Sequence, residues 1–183
     1  VVAGSVFVVA DGMGGHNGGE IASRIAVDRL AAIGPVNSIN DLVRGVQEAN
    51  ADILERAREQ PEFRGMGTTV VMLADIERAG SRRLGVANVG DSRLYRLTDS
   101  GLHQHTEDHS LVEALVRDGR LTRAEAAVHP QRNIVTRALG IDDKVLVDAW
   151  ELIPVVGDRY VLCSDGLFGE IDDDEIHEVL QAT

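Results

Sequence analysis

Val6-Phe7-Val8-Val9-Ala10-Asp11-Gly12-Met13-Gly14-Gly15-His16 is the stretch on which the reading of this 183-residue chain turns. Residues 6–10 are apolar or small, and most are β-branched or aromatic, which suits a strand covered on both faces. The glycines behind them allow a turn that bulkier residues could not make easily. Asp11 therefore stands where a strand ends. A carboxylate at the mouth of a sheet, beside glycines that let a ligand approach the backbone, is a candidate metal or phosphate site. Taken alone, the same Asp-Gly pair also reads as an ordinary strand-terminating turn.

Composition bounds the rest. With 183 residues and 44% hydrophobic content, the chain is long enough for one buried core and too short for two, so 1–183 reads as a single domain. Aromatic residues make up 3%, which leaves Val, Leu, Ile and Ala to build that core. Thirty acidic residues against 18 basic ones give a formal charge of −12, which repels nucleic acid and anionic membranes. The single cysteine, Cys163, lies in the apolar run Tyr160-Val161-Leu162-Cys163; it can form no disulfide within the chain and reads as packing. No stretch has the length of a membrane span, and the first residues lack a basic segment followed by an apolar one. The expectation is a cytoplasmic chain with no membrane span.

Along the chain, Glu20 to Leu30 can place Ile21, Ile25 and Leu30 on one helix face, and Gly34-Pro35 ends that helix. Ser38 caps a second helix, with Asp41 completing a capping box and Leu42, Val46, Ala49, Ile53 and Ala57 at helical spacing. From Thr68 the pattern changes to strands, Thr69–Leu73, Arg83–Val89 and Arg93–Leu97, joined by turns short enough for antiparallel pairing. A short strand, Leu102–His105, follows. Residues 106–133 are polar, with a short helix near Ser110 to Asp118 and a capping box at Thr122 and Glu125, and read as a flap-like insertion. Strands over Val145–Glu151 and Arg159–Ser164 precede a last helix opened by Asp172-Asp173-Asp174, where acids complement the helix dipole. This order implies segregated α+β layers and not βαβ alternation.

Asp11, Asp91 and Asp165 share one local setting, the end of an apolar strand beside glycine: Ala10-Asp11-Gly12, Val89-Gly90-Asp91-Ser92 and Cys163-Ser164-Asp165-Gly166. Carboxylates converging at one end of a sheet repel unless neutralised, and a hard divalent cation such as manganese or magnesium does this with oxygen ligands. Two such ions about 4 Å apart can activate water and clamp the oxygens of an in-line displacement at phosphorus. Phosphoryl chemistry is therefore the first expectation. His103 and His105 share a strand face but have nothing nearby to complete a site, and Arg137 reads either as an anchor of the flap or as surface.

Ala10-Asp11-Gly12-Met13-Gly14-Gly15-His16 with Gly19-Glu20-Ile21-Ala22-Ser23 resembles the signature of the bacterial metal-dependent (PPM-type, or 2C-type) serine/threonine protein phosphatases. In family order follow Met66-Gly67-Thr68-Thr69, Asn88-Val89-Gly90-Asp91-Ser92-Arg93, Asp108-His109-Ser110, His129-Pro130 with Thr136-Arg137-Ala138-Leu139-Gly140, and Ser164-Asp165-Gly166-Leu167. The resemblance implies a four-layer αββα sandwich of two antiparallel sheets flanked by helix pairs. It implies hydrolysis of phosphoserine and phosphothreonine in proteins by a metal-bridging hydroxide, with Mn2+ or Mg2+ as a catalytic pair and a third ion near Asp91.

By the same resemblance, Asp11 bridges the metal pair, the Gly12 carbonyl and Asp165 add ligands, and Asp91 holds the third ion. His16 stands near the substrate phosphate and can protonate the leaving oxygen, or is a loop histidine bonded to the turn. His109 and Ser110 open the flap, with a role toward substrate or a structural one. Met66-Gly67-Thr68-Thr69 looks structural. Partners would be phosphorylated proteins, among them substrates of a serine/threonine kinase or the kinase itself. The pattern also departs from complete members: an opening strand with a phosphate-gripping arginine and a final strand with a further acid fall outside Val1–Thr183, so the domain reads as incomplete at both ends. The alternative is a pseudophosphatase, or a phosphoprotein-binding regulatory module, with the same fold.

Overall fold

The computed structural model describes residues 2, 3, 6–14, 17–78 and 81–182. The described strands are β1 (Val2–Ala3), β2 (Val6–Val9), β3 (Gly12–Met13), β4 (Gly67–Thr68), β5 (Val70–Arg78), β6 (Ser81–Val89), β7 (Arg93–Thr98), β8 (Gly101–Gln104), β9 (Asp148–Leu152) and β10 (Arg159–Cys163). The helices are α1 (Gly18–Ala31), α2 (Ile39–Glu59), α3 (Leu111–Arg117), α4 (Arg123–Ala127), α5 (Asp165–Phe168) and α6 (Asp173–Gln181). The pairings are antiparallel, as the short turns require. One sheet runs β1-β2-β5-β6-β9, a second β10-β7-β8, and β3 pairs with β4 in a small third ladder.

The two larger sheets pack face to face. Val71, Leu73, Val86 and Leu94 are buried between them, flanked by Val9, Trp150, Tyr160 and Leu162. A larger cluster fills the space between the first sheet and α1 and α2, with Leu30, Leu42, Val46 and Ile53 meeting Val6, Val8, Val70, Met72 and Ala87. On the outer side of the second sheet, α6 lies against β8 and α5 against β10. The α+β sandwich of antiparallel sheets and helices is thus the one the sequence implied.

Local chemistry explains the elements. The Asp41 carboxylate turns back to accept the Ser38 N–H at 3.1 Å, and α2 buries Leu42, Val46, Ala49 and Ile53 on one stripe. Thr122 with Glu125 and Asp172 with Glu175 form the same reciprocal cap on α4 and α6. Other boundaries move. The first helix begins at Gly18, not Glu20, because Gly18 and Gly19 are buried against β3 and β4 and carry the helix toward the Asp11 loop; it ends at Ala31, ahead of Gly34-Pro35. The ninth strand begins at Asp148, and the opening run pairs as a hairpin with Val2 opposite Phe7. That run is covered on its helix face, where Val6 and Val8 are buried. Phe7 is 41% exposed on the other, where β10 of the second sheet meets β2.

A close backbone approach lies at the strand end. A methyl group on Gly12 would sit 1.9 Å from the Gly19 carbonyl oxygen, so the first turn of α1 rests directly on the β3 backbone. Gly12→Ala is therefore expected to lose about 3 kcal/mol or more of stability in urea unfolding, since neither neighbour is a side chain that can rotate away.

Candidate metal centre

Asp11 stands between β2 and β3, with its backbone held on both sides. Its N–H donates to Thr69 Oγ1 at 3.0 Å, while its carbonyl accepts from the Thr69 N–H and the Thr68 hydroxyl, both at 2.9 Å. Thr69 Oγ1 also bonds Ser92 Oγ at 2.7 Å, and this ties the Asp11 strand to the turn that carries Asp91. The Met66–Thr69 segment is therefore the frame between two of the strand-end acids, in line with its structural reading. Gly90 takes φ +107, and a Cβ there would meet Thr69 Cβ at 2.6 Å, so this turn needs glycine.

The register of two sheets brings the three strand-end acids together. Val9 pairs with Val71, Val70 with Val89, and Cys163 with Arg93, which sets the ends of β2, β6, β7 and β10 side by side. Asp165 opens α5 directly after β10. Burial, and then the hydrogen bond and charge of Asp165, hold the Asp11 carboxyl above its ordinary value, against a lowering bond from Ser164. Asp91 is pushed up to about 6, first by burial and further by the charges of Asp165, Asp108 and Asp11. These are the signs of carboxylates crowded together and partly buried.

That crowding is the test of fit for a divalent cation. The donors are hard carboxylate and carbonyl oxygens, they oppose one another as they stand, and bringing a 2+ charge among them removes the repulsion. Among the described residues no group of three or more His, Cys, Asp or Glu side chains is already closed around one point. What stands ready is the Asp11–Asp165 pair with Asp91 beside it. His16 and Gly15 lie outside the described residues.

Around this centre lie charges that the motif reading had not paired. Arg93 sends Nε to both Asp108 carboxylate oxygens at 3.0 and 3.1 Å and Nη2 to Oδ2 at 2.7 Å. Its guanidinium also covers the Phe168 ring at 3.7 Å, and its Nη1 donates to the Tyr95 hydroxyl, which in turn donates to Asp173 at 2.8 Å. Asp173 thus serves as an acceptor as well as a helix-start acid. Arg137 is an anchor, pairing with Asp148 at 2.6 Å. Asn50, inside α2, accepts from the Gly140 N–H at 2.7 Å and donates to the Asp142 carbonyl at 2.9 Å, fixing the loop after Leu139. The spacing of residues held no signal for these pairs, because their members lie up to 92 positions apart.

His109 and Ser110 are 7% and 4% exposed, and both are bonded within the protein. Ser110 Oγ caps α3 by accepting the Glu113 N–H at 3.2 Å. Ser110 and Val135 form an isolated bridge, so the excursion that carries α3 and α4 is closed at its base. His103 bonds Ser100, and among the described residues neither it nor His105 joins a metal-binding group. Cys163 is buried, and burial pushes its thiol up to about 11, the opposite of an activated nucleophile.

Comparison with known proteins shows the family. The family model for protein phosphatase 2C matches residues 1–182. The serine/threonine phosphatase stp of Listeria monocytogenes is 39% identical over 185 aligned positions, covering 97% of this chain and 72% of that protein. The crystal structure of the Mycobacterium tuberculosis serine/threonine phosphatase PstP/Ppp superposes with a TM-score of 0.89 at 39% identity, covering 97% of this chain and 75% of that one. The catalytic domain of PstP in complex with two manganese ions superposes with a TM-score of 0.83 at 37% identity, over 97% of this chain and 74% of that one.

Proposed function

The chain belongs to the protein phosphatase 2C family and is a serine/threonine protein phosphatase, and from that premise we propose that the carboxylates of Asp11, Asp165 and Asp91 are its metal centre. The observation that carries the reading is the contact between the Asp11 and Asp165 carboxyls at the mouth of the sandwich, with Asp91 raised beside them. Asp11 and Asp165, with the Gly12 carbonyl, would hold a pair of divalent cations, and Asp91 a third. Manganese, which the PstP neighbour binds, and magnesium both suit this donor set. When bound, such cations lower the pKa of water to near neutrality and draw charge from phosphoryl oxygens, which supplies nucleophile and electrophile together.

The chain's own residues do the rest. Thr68 and Thr69 hold the Asp11 backbone so that its carboxylate projects from the strand end, and Ser164 donates toward that carboxylate from the start of α5. His16 is assigned the proton that the leaving seryl or threonyl oxygen needs, a role suited to a side chain that titrates near neutrality. Residues 106–133 are the flap over the centre, entered through His109 and Ser110. Substrates are phosphorylated proteins, including targets of a serine/threonine kinase or the kinase itself, as in phosphate signalling in the cytoplasm. No helix among the described residues is long and apolar enough to cross a membrane. A pseudophosphatase is not favoured, since a binding module has no need for three strand-end acids that repel one another.

The test is phosphate release from a phosphothreonine peptide. Turnover is expected to vanish with chelator and return with added Mn2+; turnover indifferent to chelator would sink the metal reading.

A further inference from the structure

His109 is a buried titratable side chain that the reading above leaves without a chemical task, and its contacts are specific. It is tied to Gly90 twice: its own N–H donates to the Gly90 carbonyl at 3.0 Å, and the Gly90 N–H donates to His109 Nδ1 at 3.0 Å. A backbone N–H can only donate, so Nδ1 carries a lone pair, and a neutral ring then carries its proton on Nε2. That proton points at Asp148 Oδ2, 3.0 Å away, and Asp148 Oδ1 is held at 2.6 Å by Arg137. Arg137 Nη1 also lies 3.0 Å from Nε2, but both are donors in this tautomer, so Arg137 acts through Asp148. Burial, reinforced by the Arg137 charge, keeps the ring below its ordinary value against the pull of Asp148, which suits a neutral acceptor.

The turn that this ring grips presents Asp91. Its other side is gripped by Thr69 through Ser92. We infer that His109 is the positioning residue of Asp91: Asp148 and Arg137 fix its Nε2–H tautomer, and Nδ1 fixes the Gly90 amide and with it the direction of the Asp91 carboxylate. The inference rests on the reading of Asp91 as a cation ligand. It joins the flap entrance and β9 to the third cation position by one chain of hydrogen bonds, the arrangement by which outer partners tune a metal ligand.

Asn and Gln separate the two ring nitrogens, since the Asn side chain offers an acceptor near the Nδ1 position and Gln reaches toward the Nε2 position. In metal-free protein, long-range 1H–15N spectra should show His109 protonated on Nε2, with the Gly90 amide protected from exchange. His109→Asn should keep that protection and bind Mn2+ alone, followed by calorimetry, within a few-fold of wild type. His109→Gln should lose the protection and weaken the weakest Mn2+ site by roughly 10–100-fold, the range for outer-shell partners. If His109→Gln does not fold, Asp148→Ala, at a half-exposed position, is expected to loosen the Gly90 amide and weaken the same site. Equal Mn2+ binding by the Asn and Gln variants, an Nδ1–H tautomer, or, where Gln does not fold, wild-type Mn2+ binding by Asp148→Ala overturns the positioning role. Asp91→Asn serves as the separate control: if it leaves Mn2+ binding unchanged, the ligand reading has failed, and if it removes a site that His109→Gln leaves intact, the positioning role alone has failed.

Discussion

Asp11→Asn is expected to abolish Mn2+-dependent phosphate release, by more than the roughly 10–100-fold that loss of an outer-shell partner causes, while the metal-free protein folds as well as or better than wild type. The two halves of this result have one cause. The Asp11 backbone bonds to Thr68 and Thr69 do not involve its carboxylate, so the substitution leaves the strand end in place. What it removes is a negative charge held against Asp165, which opposes the metal-free fold and attracts a cation. A neutral amide relieves the repulsion and supplies a weaker ligand. Thermal melts without metal should show an equal or higher Tm, and the rise on adding Mn2+ should shrink. A variant that turns over normally with Mn2+ would remove Asp11 from the centre.

Arg93→Met is expected to be the most destabilising change outside the backbone contacts, about 3–5 kcal/mol, because it leaves the Asp108 carboxylate buried without its cation. Arg93 and Asp108 are 18% and 9% exposed and share three charge-assisted hydrogen bonds, so water cannot take the place of the lost partner. For a domain of this size, stable by about 5–15 kcal/mol, that is a large fraction of the total. At about 2–4 °C per kcal/mol, the loss should lower Tm by roughly 10 °C. The double substitution Arg93→Met with Asp108→Leu should recover much of it, because the pair is then replaced and not broken. Failure of the double variant to recover would show that the pair acts through Tyr95 and Phe168 instead.

Much of the architecture was legible in sequence because it depends on neighbours along the chain. Ser38 and Asp41 close a cap because one helical turn brings them together, and Leu42, Val46, Ala49 and Ile53 form a stripe because 3.6 residues complete each turn. The setting shared by Asp11, Asp91 and Asp165 was visible for the same reason, since each has its strand before it and its glycine beside it. These patterns gave three acids at strand ends and, with the motif order, a phosphatase.

They could not give the company those acids keep. Arg93 meets Asp108 across 15 positions, His109 meets Asp148 across 39, and Asp11 meets Thr69 across 58. No period relates such numbers; strand register and the path of the loop after β8 set them. The same holds for Gly12, which reads locally as a turn glycine and is required because the Gly19 carbonyl packs on it. The sequence by itself determined the elements, their caps and the candidate acids, through interactions within a turn or along a strand. Only the tertiary structure decided which acids face one another and which cations answer them, because those contacts depend on sheet pairing between distant segments.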